Sequence, residues 1–199
     1  MPSSVVAGDR GLQPQIDQVK QQVISTPRNP RQFIRDAAKM WARISTHRVK
    51  EFSSEVMFSK LRPGGLMQSE YLAACLILQQ PGQINLTTFD DLLTARVAED
   101  DNLRPLPEIL QFWRIQQLWE RLLGFSGQSL EGLPEDYLAR LLQQSNVDSL
   151  DQLLAKKQAY SEKVVAIMHD LFSELDAGGF EADDWREQKV EWAFPENHN

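Results

Sequence analysis

The chain has 199 residues, of which 42% are hydrophobic and 25% charged, and its net charge is -7. That length and near-average composition suit one globular domain, or two small ones, and exclude wholesale disorder and collagen-like repeats. The single cysteine excludes an intramolecular disulfide, and the longest apolar run, Tyr71–Leu78, falls far short of the ~20 residues of a membrane span.

Residues 1–14, with Pro2, Gly8, Gly11 and Pro14, show little periodicity and read as a mobile leader. Their start has neither a basic n-region nor an apolar h-region, so no secretory signal is expected and the expected location is cytoplasmic. From Gln15 to Ile24 the apolar residues Ile16, Val19, Val23 and Ile24 recur at helical spacing. Pro27 ends that helix, and Asn29-Pro30 forms an N-cap and first-turn pair for the next.

The helix begun by that pair is the most informative segment. At 100° per residue, Arg31, Arg35, Lys39 and Arg43 drift through only ~120° of its surface. Phe33, Ala37, Met40, Trp41 and Ile44 are expected on the opposite half. Arg28, Arg48 and Lys50 extend the positive region at either end, and Asp36 interrupts it. The basic stripe belongs to a wider asymmetry: residues 1–62 carry 11 Lys+Arg against 5 Asp+Glu, and residues 63–199 carry 10 against 23. Such a split suggests either an external electrostatic partner or a complement between the two ends of the chain.

A further helix is expected over 49–60 through Phe52, Val56 and Met57, stopped by the Arg62-Pro63-Gly64-Gly65 turn. Ser69–Gln79 is almost wholly apolar and belongs in a core. Thr88 and Asp91 match a capping box for Phe89–Val97. The acidic, proline-bearing segment 98–107 is the best place for a hinge between subdomains. Pro107 opens a helix apolar around most of its circumference, which predicts burial. Gly124 and Gly127 end it, and Pro134 begins a shorter helix through Leu138, Leu141 and Leu142.

The last long helix is expected from about Asp148 to Asp176, about 40 Å at 1.5 Å per residue. Its 4-3 pattern runs through Leu150, Leu154, Lys157, Ser161, Val164, Met168, Leu171 and Leu175. Lys157 and Ser161 spoil the middle, so bundle packing is favoured over an autonomous coiled coil. Gly178-Gly179 terminates it, and residues 177–199 form an irregular acidic-aromatic tail. The fold class is therefore all-α: a multi-helix bundle of about seven helices, with residues 15–176 as one domain.

Chemistry is sparse. One cysteine rules out a thiolate zinc site within the chain, and His47, His169 and His198 form no H-E-x-x-H or Glu-x-x-His pattern. Asp170 and Asp176 each fail as the start of a calcium loop, because the third and fifth positions lack the required Asp or Asn and the glycine is misplaced. Neither a Walker motif nor a dinucleotide fingerprint is present, and Ser126 lacks the surroundings of a nucleophile elbow. Cys75 reads as a buried small hydrophobe with a raised thiol pKa. His169 reads as a boundary residue, and Asp90-Asp91 as acids at the positive end of a helix dipole. No metal, cofactor or catalytic residue is assigned.

The expected function is therefore non-enzymatic. The chain reads as an adaptor, assembly factor or regulatory subunit that docks an acidic protein partner. The expected contacts are Arg31, Arg35, Lys39 and Arg43, together with Trp185 and Trp192, seven residues apart in the tail. The alternative is a nucleic-acid-associated protein using the same cations on phosphates. The low pI, near 5.0, weighs against it, as does the Asp90-Asp91 start of the only recognition helix that could be drawn. A membrane-surface role ranks last, because the apolar half of the basic helix is modest. Homo-oligomerisation is left open.

Overall fold

The computed structural model describes residues 11–51, 59–79, 88–122 and 133–173. Within them lie seven helices and no strand: α1 (Leu12–Ser25), α2 (Pro30–Glu51), α3 (Leu66–Gln79), α4 (Phe89–Val97), α5 (Leu106–Leu122), α6 (Glu135–Ser145) and α7 (Leu150–Ser173). The all-α bundle is thus the observed architecture.

Helix α1 begins earlier than expected, at Leu12, with Pro14 accommodated in the first turn, where a missing N–H costs nothing. None of its residues is buried. The Asn29 side chain accepts from the Gln32 N–H at 3.1 Å, so the Asn29-Pro30 start of α2 forms as read. Helix α2 then runs without a break through Glu51, and residues 49–51 belong to it rather than to a new helix. The physical reason is simple: neither Gly nor Pro occurs between Pro30 and Glu51 to stop propagation. The rest of the helix expected through Phe52, Val56 and Met57 lies outside the described residues.

The core is built around α3 and α5, which pack on each other. Helix α4 lies against both, α6 against α5, and α7 against α2, α3 and α6. Leu72 and Ala73 of α3 and Ile109 and Trp113 of α5 are fully buried. Thr88 caps α4 by accepting from the Asp91 N–H at 3.1 Å. Two long basic side chains close the ends of other helices: Arg96 Nε donates to the Leu76 carbonyl of α3 at 3.0 Å, and Lys156 Nζ to the Ser145 carbonyl of α6 at 3.0 Å. Helix α6 ends on Asn146 in the left-handed conformation (φ 54°), which lets Val147 N–H reach the Leu142 carbonyl.

The turn before α3 is held by its own backbone and pressed against α7. Leu66 N–H donates to the Ser59 carbonyl, Gly65 N–H to the Arg62 carbonyl, and Gly64 N–H to Gln68 Oε1. Gly64 has φ +66°, and a Cβ there would stand 2.1 Å from the Ser161 carbonyl oxygen of α7. Only glycine lets the turn press this closely on the helix.

Two apolar assignments need correction. Met40 is 52% exposed, because it lies about 60° outside the sector of α2 that Ile34, Ala37, Ala38 and Trp41 bury. Leu154 is 46% exposed, and the neighbouring Leu153 is the fully buried residue. The buried face of α7 thus runs through Leu153, Lys157, Ser161, Val164 and Met168.

Candidate functional site

The cationic face of α2 forms as a surface because the opposite face is held in the core. Ile34, Ala37, Ala38 and Trp41 are buried, and Trp41 stacks at 5.1 Å on Tyr71, whose hydroxyl donates to the Ala37 carbonyl. That anchoring fixes the rotation of α2. Arg31, Lys39 and Arg43 consequently point to solvent, whereas Arg35 is half-buried at the margin of the packed sector. Arg35 and Lys39 each interact with neighbouring groups, so Arg31 and Arg43 are the more available members. Trp185 and Trp192, the other expected contacts, lie outside the described residues, as do the side chains of Arg48 and Lys50.

Before α2 in the chain comes α1, whose Leu12, Val19 and Val23 are exposed at 47%, 59% and 47%. With Ile16 they recur at intervals of four, three and four residues, so they share one face of the helix. The four-residue link 26–29 joins α1 directly to the start of the basic face.

A second constellation is buried, and the sequence did not assign it. Lys157 and Ser161, the two residues that interrupt the apolar pattern of α7, are both buried in the core. The turn before α3 brings Arg62 to the same place, 6% exposed, with its guanidinium 5.2 Å from the centre of the Trp113 ring. Helix α5 supplies Trp113 and, about two turns on, Glu120. Both carboxylate oxygens of Glu120 accept from the Ser59 N–H, at 3.0 and 3.1 Å, and one also accepts from the Ser59 hydroxyl.

Arg62, Lys157 and Glu120 act on one another electrostatically in this cluster. Burial pushes the Lys157 ammonium down to about 8; Glu120 opposes that shift and Arg62 adds to it. Burial also lowers the Arg62 pKa, again against the pull of Glu120. Two donors are left over as well: neither Trp113 Nε1 nor Ser161 Oγ has a hydrogen-bond partner among the described residues. Buried charge and unmatched buried donors are both costly, and they concentrate at functional sites. In the sequence, the sign of this cluster was the pair of polar residues in the middle of the apolar stripe of α7.

The remaining candidates resolve plainly. Cys75 is buried, and that burial raises its thiol pKa to about 12, so it has little thiolate character. His169 is exposed, 3.6 Å from Asp170. Asp90 sits in the first turn of α4 and pairs with Arg114 at 2.8 Å. Among the described residues, no group of three or more His, Cys, Asp or Glu side chains could hold a metal ion, and no helix is long and apolar enough to cross a membrane. No family model, curated protein or solved structure matches this chain.

Proposed function

We propose that the chain is a cytoplasmic, non-enzymatic interaction protein that docks an acidic protein surface through α2. The observation that carries this reading is the exposed row Arg31, Lys39 and Arg43 on a helix whose other face is locked into the core. Cations held in register on a rigid element attract an acidic partner from a distance and favour one docked orientation. The exposed apolar row of α1, which the link 26–29 joins to α2, supplies the contact area that charge alone lacks. Trp185 and Trp192 are proposed as additional anchors from the tail.

The test is affinity purification of the full chain at low salt, comparing wild type with the triple variant Arg31→Glu, Lys39→Glu, Arg43→Glu. Arg35 is kept, because it is half-buried. All three positions are exposed, so the variant is expected to fold, and circular dichroism checks that it does. Loss of one specific protein from the variant eluate supports the reading. Loss of nucleic acid alone would transfer the same face to phosphate binding, where affinity falls steeply with salt. Identical eluates would remove α2 as a functional surface.

A further inference from the structure

The sequence after α7 mirrors the charge of α1 and α2. Residues 177–199 carry six Asp and Glu against two Lys and Arg, with four aromatic side chains among them. Residues 12–45 carry the reverse, six Lys and Arg against two Asp. Both of those acids are engaged locally: Gln13 and Lys20 bond to Asp17, and Gln32 Nε2 donates to Asp36 at 2.9 Å. Arg31, Lys39 and Arg43 are exposed on α2. Met40 is 52% exposed and stands three residues before Arg43, so an apolar contact lies within the cationic surface.

The fold starts the acidic segment close to that surface. Helix α7 packs on both α2 and α3. From α3, Gln68 Nε2 donates to Met168 Sδ of α7 at 3.2 Å. One turn further along α3, the Tyr71 hydroxyl donates to the Ala37 carbonyl of α2 at 2.8 Å. Ala37 is the midpoint of the row from Arg31 to Arg43, and α7 ends at Ser173, five residues beyond Met168. The cationic face is about one helix diameter further, ~10 Å, and its row is ~18 Å long. The 26 residues that follow Ser173 can extend ~85 Å, several times what is needed. A segment tethered this closely meets the face at an effective concentration on the order of millimolar.

We propose, resting on the reading of α2 as a docking face for an acidic protein, that residues 177–199 dock on α2 of the same molecule. Their acids pair with Arg31, Lys39 and Arg43, and an aromatic side chain covers Met40. The chain's own segment thus occupies the face before a partner arrives. A partner has to displace it, which lowers the apparent affinity in proportion to the docked fraction. Displacement also frees Trp185 and Trp192 to anchor the partner.

The experiment is native trypsin digestion of the full chain at low salt, following cleavage after Arg186 and Lys189 by mass spectrometry. A synthetic peptide of residues 177–199 serves as the reference substrate. A segment docked nine-tenths of the time is cut about tenfold more slowly than the peptide. That protection is expected to fade at high salt, to be unchanged on dilution, and to be lost in the Arg31→Glu, Lys39→Glu, Arg43→Glu variant. Should the triple variant fail to fold, Arg43→Glu alone is expected to reduce protection in the same direction. Arg121→Glu with Arg140→Glu alters exposed charge on α5 and α6 and is expected to keep the protection. Wild type cut at the peptide's rate overturns the proposal, as does equal protection in wild type and the folded α2 variants. Protection lost on dilution also overturns it, assigning the segment to a second copy. Protection lost in the Arg121 and Arg140 control overturns it too, because net charge would then be the cause. No partner enters these digests, so their failure leaves the docking role of α2 to be decided by the affinity purification.

Discussion

Lys157 makes the stability of this protein depend on pH in a direction that can be worked out beforehand. Its amine has an ordinary value of 10.5 and is pushed down to about 8 in the folded chain. Between those two pH values the unfolded chain holds a proton there that the folded chain has released. The unfolded state therefore binds more protons, and stability rises with pH across the window. Below about pH 8 the cost of the buried ammonium is present in full; above 10.5 it has gone. At about 1.4 kcal/mol per pH unit the recovered stability is about 3 kcal/mol. Arg62 and Glu120 are the charged groups that act on the amine. Tyr71 and Tyr160 act in the opposite sense, because their hydroxyl pKa values are raised by burial and stability is lost as they ionise above pH 10. They are common to wild type and Lys157→Met, so the difference between the two proteins isolates Lys157. Urea unfolding of both from pH 7 to 10 measures it. The stability of Lys157→Met relative to wild type is expected to decline steadily, by about 2–3 kcal/mol over that range. A difference independent of pH, or one that grows, would refute the buried ammonium.

The partner of that charge gives a second expectation. Glu120→Gln removes the carboxylate that acts on Lys157 and should cost about 3 kcal/mol in urea unfolding, the low end for breaking a buried pair because Glu120 itself is half-buried. Adding Lys157→Met should recover at least ~1 kcal/mol of that loss; strict additivity would contradict the coupling. Gly64→Ala should lower stability by more than ~3 kcal/mol or prevent folding, since it combines a left-handed φ with a Cβ driven into the Ser161 carbonyl. Near-wild-type urea unfolding of that variant would mean the turn does not press on α7. Cys75, 4% exposed and with its thiol pushed up to about 12, should resist aromatic disulfide reagents in the native protein and react fully in denaturant. Rapid native-state reaction would contradict its burial.

Most of the fold was legible because it is written in local signals. Asn29-Pro30 and Thr88 with Asp91 start α2 and α4 where their chemistry places them, and the apolar run at 69–79 is the core of α3. Boundaries that rest on weaker stops were misplaced. Propensity alone does not break a helix, so α2 continues through the point where a second was expected. The basic face was legible from a 3.6-residue period, but not the half-burial of Arg35, which depends on how Trp41 and Tyr71 seat the helix. The buried cluster was half legible. Lys157 and Ser161 stood out as interruptions in α7, yet Arg62 read only as part of a turn and nothing singled out Glu120. Their meeting is a product of tertiary packing, which no spacing along the chain encodes.

The central functional claim is that the cations of α2 steer an acidic partner. The most direct measurement is the association rate of the captured partner with wild type and with the Arg31→Glu, Lys39→Glu, Arg43→Glu variant, at low and at high salt. Steering predicts that the variant associates at least ~10-fold more slowly at low salt, and that the gap closes as salt screens the charges. Equal rates at low salt would contradict the claim.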